Sequence, residues 1–236
     1  MHQLTIRVRK RYVVALRKLG GMISHFAVSD AVAALTFDDG PHPQYTPCLL
    51  EILNTFNVRA TFFLVGTSAA QYPALVRQIA HAGHAIGNHS WDHKAAFTSL
   101  SRKERRKQIR QCQQAIAPYG SRIFRPPWGA RNTGVLLDAL CLRYKLIGWN
   151  LDVQDWLQQD SHHVAGLMRQ GLRPGSIILL HDAIFCPPST EHAPSLSDDR
   201  QSMLTALQSF LSEVHSQFRF ATIPEMFQIG HPVREY

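Results

Sequence analysis

The chain has 236 residues, 45% of them apolar and 18% charged, enough to bury the core of one large domain. Its net charge of +8 would suit a polyanion partner, but Arg7, Arg9, Lys10, Arg11, Arg17 and Lys18 all lie in residues 1–29, where there is no Asp or Glu. The other residues carry 19 basic against 17 acidic side chains, so specific nucleic-acid binding is not expected.

The first 30 residues read as a basic arm. Arg17 and Lys18 interrupt the apolar stretch at 12–16 before it reaches the length of a secretory core, and no apolar run approaches the ~20 residues of a membrane span. A cytoplasmic location is expected, with weak contact to an anionic membrane surface through residues 1–29 left open against a merely solubilising role. Cys48, Cys112, Cys141 and Cys186 form no CxxC pair and are expected to be buried, reduced thiols.

From residue 31 onward, short apolar runs alternate with helical stretches. Strands are expected over 31–37, 60–65, 84–88, 122–125, 145–151, 176–180 and 218–223. Helices are expected over 47–56, 73–82, 102–116, 134–141, 164–170 and 201–215. Thr46 followed by Pro47 reads as an N-cap with proline at the first helical position, and Ser101 with Glu104 has capping-box spacing. About seven strand–helix units point to a parallel sheet curled into a TIM-like barrel, a single domain over 31–230 with a short tail at 231–236. In such a barrel, chemistry sits where strands end.

The polar clusters lie at those ends. Asp38 and Asp39 follow the first strand, and two adjacent carboxylates need a cation or a proton between them unless the turn is simply solvated. His89 and His93, four apart and read as one face of a first helical turn, can grip one metal, although Ser90 stands where a zincin has its Glu. Arg125-Pro126-Pro127-Trp128-Gly129 is a rigid turn carrying a cation able to pin a carboxylate. Asp152-Val153-Gln154-Asp155-Trp156 offers an acid and an aromatic. His181 comes straight from an apolar strand and suits a general acid, with a satisfied core histidine as the bland alternative.

As a set, these residues resemble the polysaccharide deacetylase family, the NodB-homology domain of carbohydrate esterase family four. Thr36 to Pro41, His89 to His93, Arg125 to Gly129, Asp152 to Trp156 and Leu179 to Asp182 stand in the order of its five motifs, across about residues 31–228. The resemblance implies a distorted (β/α)7 barrel and hydrolysis of the acetamide of an N-acetylated sugar. It implies one divalent metal on Asp39, His89 and His93, zinc first, with Co²⁺, Ni²⁺ or Mn²⁺ possible by the chemistry of the donors. Asp38 would be the base, Arg125 its orienting partner, His181 the acid held by Asp152, and the backbone N–H of Trp128 an oxyanion donor. Trp128, Trp156, Pro127, Phe185 and Leu179 would meet the sugar.

Trp128 stands where the family often has Tyr, and Ala85 where an acid is frequent. The stretch 183–200, with Pro187, Pro188 and Pro194, is longer than an ordinary connection and is expected to border the site. O-deacetylation and a non-catalytic glycan-binding role are the competing readings. The second usually shows a missing ligand or base, and none is missing here.

Overall fold

The computed structural model describes residues 21–94, 96–157, 160–185 and 199–235. Most of the basic arm, Cys186 and the prolines at 187, 188 and 194 lie outside the described residues. In chain order the elements are β1 (Met22–Ala27), β2 (Val32–Asp38), α1 (Tyr45–Thr55), β3 (Thr61–Leu64), α2 (Gly66–Gln71), α3 (Pro73–His81) and β4 (Ala85–Asn88). There follow α4 (Arg102–Ala115), β5 (Gly120–Phe124), α5 (Thr133–Cys141), β6 (Lys145–Leu146), β7 (Leu151–Asp152) and α6 (Ser161–Gly171). The chain ends with β8 (Ile177–His181), α7 (Gln201–Val214), β9 (Arg219–Phe220), α8 (Ile223–Ile229) and β10 (His231–Glu235).

Seven parallel strands pair in the order β6-β5-β4-β3-β2-β8-β7, with β9 added at the start of β2. The sheet curls so that its two ends are joined by residues 147–150, whose backbone leaves β5 at Ile147 and reaches β8 at Asn150. This is the expected (β/α)7 barrel with one seam that no strand pair closes among the described residues. The stretch 145–151, expected as one strand, is two short ones because the chain spends its middle crossing that seam. The seam is covered by β1, where Ile23 accepts from Gly148 N and Phe26 donates to Gly175 O. β1 itself pairs antiparallel with β10, a two-stranded sheet absent from the sequence reading.

Alternation along the strands sorts the core. On β2, Ala33, Leu35 and Phe37 pack outward with the helices, in a cluster that includes Phe62 and Leu64 of β3 and Ile178 and Leu180 of β8. Val32 and Ala34 pack with Phe63, Ile123, Ile147 and Ile177, joined by Ile23 and Phe26 of β1. The inward row of β2 is therefore apolar at its start and polar at its finish, running Val32, Ala34, Thr36, Asp38. The same step of two leads from Ile123 to Arg125 and from Ile177 through Leu179 to His181. One period brings the apolar filling of the barrel and its polar mouth from the same strands.

Two helix starts test the capping signals. Ser101 and Glu104 form the expected capping box. Thr46 does not cap a helix: α1 begins one residue earlier, and the Thr46 hydroxyl accepts from His42 N and donates to Asp182 instead. The run 218–223 is strand only to Phe220, because Thr222 and Glu225 close a second capping box that starts α8. Cys112 is buried, but Cys48 and Cys141 are exposed, contrary to the expectation for all four.

Gly175 shows how tightly β1 is seated. Its φ is +82°, and an added Cβ would lie 1.7 Å from the Phe26 carbonyl oxygen. Gly175→Ala is expected to cost roughly 3 kcal/mol or more in denaturant unfolding, since both the backbone and its neighbour must move. Gly166, in α6 with open space around it, serves as the control, and its change to Ala should be neutral or stabilise by up to about 1 kcal/mol.

Candidate active site

Strand register sets the reacting groups side by side. Asp38 at the end of β2 is the register partner of His181 at the end of β8. Asn88 at the end of β4 pairs with Phe124, so that Arg125 comes next to His89, and Arg125 N donates to Asn88 O. A cleft of about 180 Å³ opens here, lined by Asp38, Asp39, His89, His93, Asp152 and His181 among aromatic and apolar neighbours.

Arg125 is fully buried and holds several elements at once. Its Nη1 donates to Asp38 Oδ1 at 2.7 Å and to Thr36 Oγ1 at 2.9 Å, and Nη2 donates to Gly148 O at 2.7 Å. The guanidinium lies 4.2 Å from the Phe63 ring centroid and 5.5 Å from that of Trp149. Burial pulls its pKa down and Asp38 pulls it back up, which leaves a cation whose charge is matched on one side. Its carbonyl oxygen accepts from His89 Nδ1 at 2.7 Å. That bond fixes the tautomer of His89 and leaves the Nε2 lone pair to face the site.

Asp39, His89 and His93 form the one group among the described residues able to hold a metal, with all ligand atoms within 4.8 Å of one another. Nε2 of His89 is 3.4 Å and Nε2 of His93 is 3.3 Å from Asp39 Oδ1. That oxygen is buried and has no hydrogen-bond donor, as a carboxylate meant for a cation would be. Burial lowers the pKa of His93 to about 4, opposed by Asp39, so its ring is neutral and can ligate. Burial opposes ionisation of Asp39, but His93, His89 and His181 outweigh it, and the carboxyl sits well below its usual range. The donors fit a divalent ion with one oxygen and two imidazole ligands.

The pair His89 and His93 is not on a helical turn as expected. Ser90 and His93 have φ values of 70° and 48°, and the loop is pinned from outside, with Trp91 N and Asp92 N both donating to Gln108 Oε1. Seven non-glycine residues in the described chain have positive φ, and five of them, Asp39, Ser90, His93, Trp128 and Gln154, lie in the loops around this cleft. Each costs on the order of 1 to 3 kcal/mol, and such strain persists only where surrounding bonds over-determine the loop.

Asp152 is corrected as the partner of His181. Asp152 is exposed, lines the cleft, and accepts from Gln154 N through Oδ1. The buried Asp155 holds His181 instead: Oδ1 accepts from Nδ1 and Oδ2 from the backbone N of His181, both at 2.9 Å. Arg200, also buried, donates to the Asp155 carbonyl at 2.8 Å and approaches its carboxylate at 3.5 Å. Burial works against a charged His181, but Asp155, followed by Asp39 and Asp38, raises its pKa to about 9. Its protonated form is therefore present at neutral pH and lost above about 9.

The cleft walls hold Trp128, Trp156, Leu179 and Phe185 as expected, and also Trp149 and Ile184, which the sequence reading did not single out. Pro127 is buried beneath the turn and does not line the cleft. Phe185 N donates to Asp39 Oδ2 at 3.0 Å, so the start of the 183–200 stretch meets the site directly. Asp182, likewise unassigned from sequence, is buried against Gly40, where an added Cβ would be 2.3 Å from its Oδ2. Burial, helped by the charges of Asp39 and Asp38, raises its carboxyl to about 7.

The Asp155 clamp yields a pH test. Replacing Asp155 with Asn removes the largest group raising the His181 pKa, so the alkaline limb of kcat/KM should move to lower pH by at least ~1 unit. The parent should hold its activity to about pH 9. An alkaline limb at the same pH in both proteins would show that His181 is not the group being titrated.

Comparison with known proteins agrees with this geometry. The polysaccharide deacetylase family model matches residues 27–147. A chitooligosaccharide deacetylase of Azorhizobium caulinodans is 35% identical over 192 residues, covering 80% of this chain and 90% of that protein. The peptidoglycan-N-acetylglucosamine deacetylase PgdA of Listeria monocytogenes is 33% identical over 94% of this chain, which spans 45% of that longer protein. Among solved structures, the Bc1960 peptidoglycan N-acetylglucosamine deacetylase superposes with a TM-score of 0.79 at 29% identity, covering 92% of this chain and 97% of that one. With matching fold, matching motifs and relatives aligned over most of its length, the chain belongs to the polysaccharide deacetylase family.

Proposed function

We propose that this carbohydrate N-deacetylase binds one divalent metal ion, zinc, on Asp39, His89 and His93, and removes the N-acetyl group from a glycan built of N-acetylglucosamine. The observation that carries the reading is the placement of Asp38 and His181, a base and an acid on adjacent strand ends, beside a ligand set with an unsatisfied buried carboxylate oxygen. The relatives that this chain resembles act on chitooligosaccharide and peptidoglycan, which supports the substrate class. When bound, the ion supplies Lewis-acid polarisation of the acetamide carbonyl and a lowered pKa for water.

The protein side of the reaction follows from the bonds present. Asp38 takes the proton of the attacking water, and Arg125 aims its carboxylate through the 2.7 Å bond to Oδ1. The backbone N–H of Trp128 offers a donor to the oxygen that gains charge. His181, protonated and fixed through Nδ1 by Asp155, presents Nε2 to the sugar nitrogen. As the C–N bond breaks, that proton passes to the amine, and acetate and the free amino sugar leave. Trp128, Trp156, Leu179 and Phe185 give the sugar ring and the acetyl methyl apolar walls.

Acetate release should be measured on chitooligosaccharides and on peptidoglycan fragments, with a chelator and after zinc is restored. Chelation should abolish turnover and zinc should return it, and His181→Ala should lower kcat by about 10²- to 10⁴-fold with metal content unchanged. Acetate release that persists in the stripped protein would sink the metal assignment. Metal lost from His181→Ala would make His181 a ligand rather than the acid.

A further inference from the structure

The near balance of charge in the body conceals a sharp division. Residues 94–145 carry twelve basic side chains against two acidic ones, Glu104 and Asp138, while the chain beyond the arm and this segment carries seven basic against fifteen acidic. Asp138 is fully buried and already occupied by Arg105 and Arg106, with Arg102 3.6 Å away. With the buried Arg125 and Arg105 set aside, ten basic side chains remain against the exposed Glu104, so the surface built around α4 and α5 is a strongly cationic side of an otherwise acidic barrel.

At one edge of that side sits exposed apolar surface. Leu137 and Leu140 of α5 are each 40% exposed, two of the four large apolar residues so exposed among the described residues. Three positions apart, they share one side of the helix. Cations lie close by: Arg102 reaches Cys141 at the end of α5, Arg143 is exposed just beyond it, and Lys145, whose Nζ lies over the Phe227 ring, and Arg234 line a groove with Leu140. Gly21 lines the same groove.

We propose that this side of the barrel, centred on Leu137 and Leu140 and flanked by Arg102, Arg143, Lys145 and Arg234, is a docking surface for an anionic phospholipid membrane. Cations alone would suit any polyanion. Protruding leucines beside cations fit a bilayer interface, where the headgroups take the charge and the acyl boundary takes the apolar side chains. None of these residues belongs to the catalytic cleft.

Co-sedimentation of the full chain with phosphatidylcholine vesicles, and with vesicles containing about a third phosphatidylglycerol, tests this at low salt and at ~0.15 M salt. The protein should bind the anionic vesicles only, and less as salt rises. A variant carrying Leu137→Ser, Leu140→Ser and Arg143→Glu should lose at least about tenfold in partition. Its unfolding midpoint and its acetate release from a soluble oligosaccharide should be unchanged, which separates docking from folding and from catalysis. Parent-like vesicle binding by the variant would assign any membrane affinity to the arm alone and overturn the proposal. So would equal binding to neutral vesicles, or binding to RNA or an acidic polysaccharide that is as tight as to vesicles and indifferent to the two leucines.

Discussion

The buried Arg125 guanidinium is the constraint on which the site depends. A cation removed from water is tolerable only where its donors are taken up, and Arg125 spreads them over Asp38, Thr36 and the backbone of 147–148, with aromatic faces above it. In doing so it ties β2 to the open seam of the barrel, where no strand pairing does that work. Its main chain meanwhile orients His89. One residue thus fixes Asp38, the proposed base, with its side chain and His89, a proposed metal ligand, with its carbonyl, so the two halves of the proposed chemistry share a single anchor.

Around that anchor the barrel supplies position and the loops supply strain. The inward rows end at Asp38, Arg125 and His181 because each is an even step from an apolar residue that fills the barrel below. The loops that continue from those rows adopt left-handed backbone at Asp39, Ser90, His93, Trp128 and Gln154, held there by bonds from distant elements such as the Gln108 side chain. Packing of the helices stabilises what the local backbone disfavours.

Much of this could be read from sequence because it follows from period and order. Six of the seven expected runs placed the barrel strands, 145–151 supplying two of them and 218–223 giving only the short β9 beside β2, and the polar residues just beyond the runs identified Asp38, Asp39, His89, His93, Arg125 and His181. What could not be read depended on contacts between remote segments. Asp152 and Asp155 stand in one short loop, and nothing local distinguishes them. The choice is made by the positive φ at Gln154 and by Arg200, which arrives from beyond the proline-rich stretch. The β1–β10 pair joins residues some two hundred apart, with no turn signal to announce it. Thr222 and Glu225, by contrast, had a capping signature in plain view, obscured by the apolar run that leads into it.

The measurement that tests the account most directly is the metal content and kcat of Arg125→Lys. Lysine keeps the charge and the backbone carbonyl that orients His89, but cannot reproduce the guanidinium's simultaneous bonds to Asp38, Thr36 and Gly148. The account predicts a folded protein that retains its metal and loses about 10²-fold or more in kcat, because the base is no longer aimed. A variant that keeps kcat, or one that loses metal in proportion to activity, would contradict the division of labour assigned to this residue.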